Sequence, residues 1–577
     1  MKDIRFGIIV LITSLILTVS MPCVSAELFG DANGDKQINT LDVTMIERMI
    51  LTNDKESPLA DANQDGSINI EDVTYTESII LERVGFPGGH MNIGMIFGPS
   101  YTLDPAEQWT GTYIREFGIA ETLFYYDEDL ELTPELATGY TQLSDTQWQI
   151  HLRKGVTFHD GTPFNADAVI YSIERVTNES NSRRNEYKHI ESVVAEDEYT
   201  VTITTTEPCA STIATLTDPV VSMVSPTAGE AGLLNTTPVC TGPFKYKSNE
   251  PSVSMSVVRN ENYWGGKVKL ESAMIYFLSE GDTRSIMLQS GDVDITMGLP
   301  LPIISKLESD SDLNIVTDET LRLYFIFVNN AKAPLDDIRV RQAINYAINR
   351  EQIVDSALEG IGGVSAIGMF PSVFPWTNEA LTGYPYDKDK ALSLLEEAGI
   401  TDNDNDGILE YNGEDFQLTI ELYSSRAVMQ PSAEIMEIQL RDIGIDVKLQ
   451  FLESAAIKED MVSGNYDLAF YSYNSAPIGD PDRFLTNHFD STAGFMENQW
   501  IRYSNDTVNS LLADAEMAMN QSERKGYYDQ VQAIIIDQSP EMFIFHERQQ
   551  VGHYVDVIGY VLYPNEITFL TKEMYMG

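Results

Sequence analysis

"DDIRVRQAINYAINREQIVDSAL", Asp336 to Leu358, is the stretch on which the fold class turns. Val340, Ala343, Ile344, Ala347 and Ile348 recur at three-and-four spacing, which puts them on one face of an α-helix. Just ahead, "FIFVNNAKAP" (Phe325 to Pro334) opens with a short apolar run that reads as a strand and then stops at two asparagines. Downstream the alternation repeats. "YDKDKALSLLEEAG" (Tyr386 to Gly399) is a helix that stops at glycine, and "SAEIMEIQLRDIGIDVKLQFL" (Ser432 to Leu452) is a helix, then Gly444, then a strand. Upstream, "MNIGMIF" (Met91 to Phe97) and "YTVTITT" (Tyr199 to Thr205) are β-branched or apolar runs of strand length. Helix-turn-strand units at this spacing predict α/β domains with largely parallel sheets.

The ends and the charge narrow the class. Lys2 and Arg5, an apolar run from Ile8 to Val19, and Val24-Ser25-Ala26 form a secretory signal over residues 1–26. The apolar run is shorter than the roughly 20 residues that a spanning helix requires. Cys23 follows Ser20-Met21-Pro22, which is not a lipobox. The rest is expected to be exported. A net charge of −51 leaves no basic cluster for nucleic acid. Cys209 and Cys240, thirty-one residues apart in an exported chain, are expected to form a disulfide.

Near the N-terminus the chain repeats itself. "DANGDKQINTLD" (Asp31 to Asp42) returns as "DANQDGSINIED" (Asp61 to Asp72). Asp31, Asn33, Asp35, Gln37, Asn39 and Asp42, and in the copy Asp61, Asn63, Asp65, Ser67, Asn69 and Asp72, occupy the positions from which a twelve-residue loop offers oxygens to calcium. An apolar helical pattern follows each loop, and two such units can bury their stripes against each other. This repeat resembles a type I dockerin over residues 28–83. The resemblance implies a small all-α module with structural calcium and a cohesin-like partner. A Gly/Pro linker, residues 84–90, closes it.

The remainder carries several ordered phrases. They are "LRKGVTFHDGTPFNADAVIYSIERV" (Leu152 to Val176), "TGPFKY" (Thr241 to Tyr246), "RNENYWGG" (Arg259 to Gly266), "LQSGDVDI" (Leu288 to Ile295), the stretch around Asp336, and "GDPDRF" (Gly479 to Phe484). Together they resemble the solute-binding proteins of family 5, which serve ABC importers of peptides and nickel. The resemblance implies a two-lobed α/β fold of the periplasmic-binding-protein type II class. Lobe one would span residues 91–328 with a return over 545–577, and lobe two residues 329–544. Strands at "FIFVNNAKAP" and "MFIFHE" (Met542 to Glu547) would cross between them. It also implies ABC permease subunits as partners and no catalysis.

Two other readings compete. Dockerins usually carry hydrolases, but the chain has no His-Glu-x-x-His, Gly-x-Ser-x-Gly or Walker loop. A ligand sensor on the same binding fold is the other. Within the family, peptide binders usually set an aspartate shortly before the Asp-Pro pair; here "YSYNSAPIGDP" offers Tyr471, Tyr473 and Asn474 and no acid before Asp480. The nickel-type branch commonly has a histidine at the position of Tyr471 and an arginine near Ser222, and neither is present. The expected ligand is therefore a short peptide or nickel held as a small chelate. Trp109, Tyr113, Tyr423, Tyr471, Tyr473 and Asn474 are expected to wall its site, with Arg183 and Arg426 meeting carboxylates.

His159-Asp160-Gly161 is expected to be a turn and Trp264 a packing anchor. Finally, "DNDNDGILE" supplies Asp402, Asp404, Asp406, the Ile408 carbonyl and Glu410 in the order of half a calcium loop, with Gly407 at its sharp turn.

Overall fold

The structure is a computed structural model that describes residues 88–577 and, ahead of them, residues 32, 45, 46, 49, 57–60, 62 and 68. The chain divides into two compact units, residues 1–87 and 88–577. In the first, Ala32, Ile46, Met49 and Ala60 bury one another, with Ile68 packed on them. Residues from both copies of the repeat thus share one small core. The signal residues 1–26 and all twelve loop positions assigned to calcium, from Asp31 to Asp42 and from Asp61 to Asp72, lie outside the described residues.

The second unit is built on one eleven-stranded mixed sheet. Its main strands are β1 (His90–Met95), β2 (Phe244–Glu250), β3 (Ser254–Arg259), β4 (Ser272–Phe277), β5 (Ile295–Met297), β6 (Leu313–Val328), β7 (Gln417–Leu422), β8 (Asp446–Phe451), β9 (Leu468–Asn474) and β10 (Glu541–Tyr554). They lie in the order β8-β7-β9-β6-β10-β5-β1-β4-β3-β2, and Gly363–Ser365 pairs on β10 from off this path. A second, four-stranded antiparallel sheet (137–144, 147–152, 200–205, 190–197) belongs to the first lobe.

Parallel pairs occur within each lobe, β1 with β4 and β5, and β7 with β8 and β9. The expectation of largely parallel sheets is nonetheless too strong. β6 and β10 run antiparallel, as do β2 with β3, β3 with β4, and β6 with β9. Two strands that carry the chain from one lobe to the other and back must run in opposite directions, so their pairing is antiparallel.

β6 and β10 pair along nearly their whole length. The first half of β6, Leu313 to Glu319, pairs with Arg548 to Tyr554, beside β5. The second half, Arg322 to Val328, pairs with β9 and with Glu541 to His546. The register shifts between Glu319 and Leu323. The passage between lobes therefore falls at Thr320 to Arg322 and near Glu547. The sequence boundaries at 328/329 and 544/545 lie a few residues beyond and before it. The apolar run is what the sequence displays, but the crossing sits at the polar kink preceding that run.

That run is apolar on both sides for a structural reason. Tyr324, Ile326 and Val328 join one core with Leu468, Phe470, Met542 and Ile544. Leu323, Phe325 and Phe327 join another, on the opposite face, with Ala469, Tyr471 and Phe543. Alternation at period two sends neighbours to opposite faces, and here both faces are covered. Each such side chain contributes about 1.5–3 kcal/mol by leaving water.

Local signals account for the helices. Asn165 Oδ1 accepts the Ala168 N–H and starts helix Ala166–Thr177. The stretch from Asp336 is two helices, Ile338–Ala347 and Arg350–Ala357, because Asn349 caps the second by accepting the Gln352 N–H. The face from Val340 to Ile348 is buried as expected. His159 to Gly161 is a turn, with Gly161 at φ +85°, where a side chain would be strained. Trp264 donates its Nε1–H to Glu121 at 2.8 Å beneath the Arg153 guanidinium.

Cys209 and Cys240 are not bridged; both are free, buried thiols. Cys240 belongs to the first lobe's core. Cys209 Sγ lies instead 3.4 Å from Ser211 Oγ, at the start of helix Thr212–Thr215. Each sulfur is enclosed by its own neighbours, and burial pushes the Cys209 thiol up to about 12. A thiol reagent is therefore expected to leave the folded unit unmodified and to label both cysteines once it is denatured without reductant. Absence of labelling after denaturation contradicts the assignment.

Candidate functional site

One cavity of about 500 Å³ lies where the two lobes face each other across the crossing strands. Its size suits a small organic ligand. The first lobe contributes Phe97 beyond β1, Trp109 and Tyr113 at helix Thr110–Glu116, Glu116 itself, and the return segment Asn565 to Ile567. The second lobe contributes Tyr423 and Arg426 beyond β7, Ser454, and Tyr471 to Asn474 on β9. Arg322, at the kink of β6, sits in the wall between them. The ends of central strands converge here, which is where open α/β sheets place ligands.

Three tyrosines of the second lobe form a continuous surface. Tyr423 meets Tyr471 edge to face at 5.1 Å, and Tyr471 meets Tyr473 at 5.9 Å. The Tyr471 hydroxyl lies 2.9 Å from Ser454 Oγ. Trp109 is 59% exposed, the most open aromatic residue of the wall. Of the residues expected at the site, Trp109, Tyr113, Tyr423, Arg426, Tyr471, Tyr473 and Asn474 all line this cavity.

Arg183 does not. It is buried behind Trp109, its guanidinium 4.8 Å from the indole. It donates to Glu186 Oε1 at 2.7 Å and to Asp218 Oδ2 at 2.8 Å. Two carboxylates already hold its fork and the indole covers it, so it is placed to fix the tryptophan and not to meet a ligand. Asp218 also accepts from the Tyr187 hydroxyl at 2.6 Å and from Arg483 of the second lobe. Against the cost of burial, Arg183 and Arg483 hold its carboxyl well below the usual range. This cluster ties the lobes together at the cavity's edge, since Arg483 also lines the wall.

The charged lining was mostly invisible in the sequence. Arg322 Nε donates to Glu566 Oε2 at 2.9 Å and lies 3.5 Å from Glu547. Arg426 reaches Glu547 only at 3.9 Å and lies over the Phe97 ring. Burial, with Glu566 nearby, pushes Glu116 up to about 8. Arg322 was open to notice as one cation within "LRLYFIFV", but Glu116 and Glu566 carried no motif.

In the "DNDNDGILE" loop, Asp402, Asp404 and Glu410 bring carboxylate oxygens within 4.8 Å of one another. Asp406 is not in that group; its Oδ1 accepts the Ile408 N–H at 2.8 Å. Asp402 likewise accepts the Asn405 and Gly407 N–H groups. The loop is thus already closed by its own backbone donors, with Asn405 and Gly407 at positive φ.

In the fold Glu116 keeps its proton up to about pH 8, against an ordinary value of 4.5. Between those values the folded state binds more protons than the unfolded one, so stability falls as pH rises. Glu116→Gln is expected to melt together with the wild type below pH 4.5 and above it at higher pH, the gap levelling off past about pH 8. No gap, or one of opposite sign, contradicts the buried-carboxyl assignment.

Comparison with known proteins agrees with this geometry. Residues 131–495 match the model of the bacterial extracellular solute-binding proteins, family 5, and residues 29–77 that of the dockerin type I domain. The chain is 27% identical over 496 residues to the probable D,D-dipeptide-binding periplasmic protein DdpA of Escherichia coli, covering 83% of this chain and 92% of that one. It is 30% identical over 455 residues to the glutathione-binding protein GsiB of Salmonella choleraesuis, covering 77% and 86%. A crystal structure of a nickel ABC transporter from Bacillus halodurans aligns with a TM-score of 0.68 at 28% identity, over 84% of this chain and 100% of that one. With the family match running through both lobes, this chain belongs to the bacterial extracellular solute-binding proteins, family 5.

Proposed function

We propose that the chain is the extracytoplasmic ligand-binding component of an ABC importer, and that it encloses a short peptide or peptide-like zwitterion between its lobes. Proteins of this family are binding components, not enzymes. The observation that carries the reading is the cavity itself, walled by both lobes, lined with aromatic faces, and bearing carboxylates and guanidinium groups. Such a wall suits a ligand with an amine, a carboxylate and apolar parts. DdpA and GsiB, named for a dipeptide and for glutathione, are relatives of this kind.

A second reading, nickel as a small chelate, draws on the nickel-transporter likeness. Among the described residues, three metal-type side chains converge only in the Asp402 loop, outside the cavity wall. Nickel in the cavity would thus arrive already ligated, and the charged wall would grip the chelator's carboxylates. In both readings hinge closure holds the guest, and the closed form is what an importer recognises.

We further infer that residues 29–77 take calcium through the loop oxygens named above and dock on a cohesin-like partner, tethering the binding unit outside the cell. No helix among the described residues is long and apolar enough to cross a membrane. Pull-down of partners from host envelopes is expected to succeed with calcium and fail with chelator; capture indifferent to chelation contradicts it.

Native mass spectrometry of protein purified from its host tests the ligand class. A set of peptide masses supports the leading reading, and a nickel isotope pattern supports the second. Arg483→Gln, which removes the link to Asp218, is expected to weaken affinity roughly tenfold, mainly through faster release. Unchanged release contradicts a role for that contact in holding the lobes closed.

A further inference from the structure

We propose that Glu116 is the specificity residue that receives the ligand's ammonium group, an inference that rests on the peptide-like reading above. β9 offers no acid to the cavity. At its end Asn474 is uncharged and already donates from Nδ2 to the Asn565 carbonyl at 2.6 Å and accepts the Ala476 N–H at 3.1 Å. A ligand cation must therefore find its counter-charge elsewhere on the wall.

Of the other acids there, Glu566 and, behind the wall, Glu547 are committed to protein partners. Glu566 accepts from Arg322 and, at 2.9 Å, from the Thr320 hydroxyl. Glu547, behind it, lies between Arg322 and Arg426 and accepts from the Tyr324 hydroxyl. Glu497 sits in the first turn of helix Met496–Ile501, where the amide dipole favours an anion.

Glu116 has neither an ion-paired protein partner nor a favourable helix end. It is the last residue of helix Thr110–Glu116, the end at which the dipole disfavours a carboxylate. Among the described residues no Lys or Arg lies within 4.0 Å of its carboxylate and no hydrogen bond reaches it. A half-buried carboxyl at the unfavourable end of its helix, with Arg322 and Arg426 acting on it only from beyond ion-pair distance, is costly to ionise until a cation docks, and such local inconsistencies concentrate at functional sites. Tyr113, one turn earlier on the same helix, also lines the cavity and offers a ring face beside it. An ammonium docked here supplies the missing counter-charge, and Arg426 on the facing lobe remains available for the ligand's carboxylate.

The test uses the full chain and three tripeptide pools read by native mass spectrometry and calorimetry. One pool has free N-termini and neutral side chains, the second is the same pool N-acetylated, and the third is N-acetylated but contains lysine. The wild type is expected to prefer a cation-bearing pool over the neutral acetylated pool by at least roughly tenfold, equivalent to one ion-paired hydrogen bond. Preference for the first pool locates the α-ammonium at Glu116, and preference for the third a side-chain ammonium. Glu116→Gln is expected to lose the preference, with Glu116→Asp retaining part of it. Equal binding of all pools by the wild type, or preference unchanged in Glu116→Gln, overturns the inference. Binding of no pool overturns the peptide reading and this inference with it.

Discussion

Everything in the binding unit hangs on the antiparallel pairing of β6 with β10. These two strands belong at once to the sheets of both lobes, so the lobes share a continuous hydrogen-bonded ladder and are not separate bodies joined by a loose tether. The ladder is anchored in the second lobe by aromatic residues buried on both faces and in the first by β5 and β1. Its weak point is the register shift between Glu319 and Leu323. Pairing lost there leaves a few residues free to absorb a change of angle, which is what a hinge requires. The cavity opens beside this point, and Arg322 and Glu566 connect the kink to the return segment of the first lobe.

The charge distribution follows a related logic. The chain has 88 acidic residues and 37 lysines and arginines. Several of its few arginines lie inside, each on a carboxylate: Arg115 on Glu135, Arg524 on Asp480, Arg183 and Arg483 on Asp218, and Arg322 on Glu566. Buried pairs of this kind offset their own desolvation and add little net stability, but breaking one leaves an uncompensated charge costing about 3–5 kcal/mol. They fix geometry. Arg524 with Asp480 sets helix Gln521–Gln538 against the loop that follows β9, and the Asp218 cluster joins the lobes. The acidic excess is left to the surface.

Much of the fold was legible because its signals are local. Asn165, Asp387 and Asn520 cap helices through their own side chains, and glycines such as Gly399 and Gly444 mark stops at positive φ. The aromatic wall was legible for the same reason: Tyr471 and Tyr473, two apart on a strand, share a face. What was not legible is pairing at a distance. Arg183 looked like a free cation, and only the fold adds Asp218 to the local pair it makes with Glu186. Cys209 and Cys240 looked like partners by compartment and spacing, and only the fold keeps them apart. Glu116 and Glu566 are four hundred and fifty residues apart in sequence, so no window of the chain shows that they face one cavity.

The central claim is that two lobes close on a small guest about the β6–β10 crossing. Small-angle scattering of the full chain, after ligand removal by mild denaturation and refolding, and again after adding back the compound it carried, measures this most directly. The account predicts a smaller radius of gyration with ligand than without it. An unchanged radius, with ligand demonstrably bound, would contradict it.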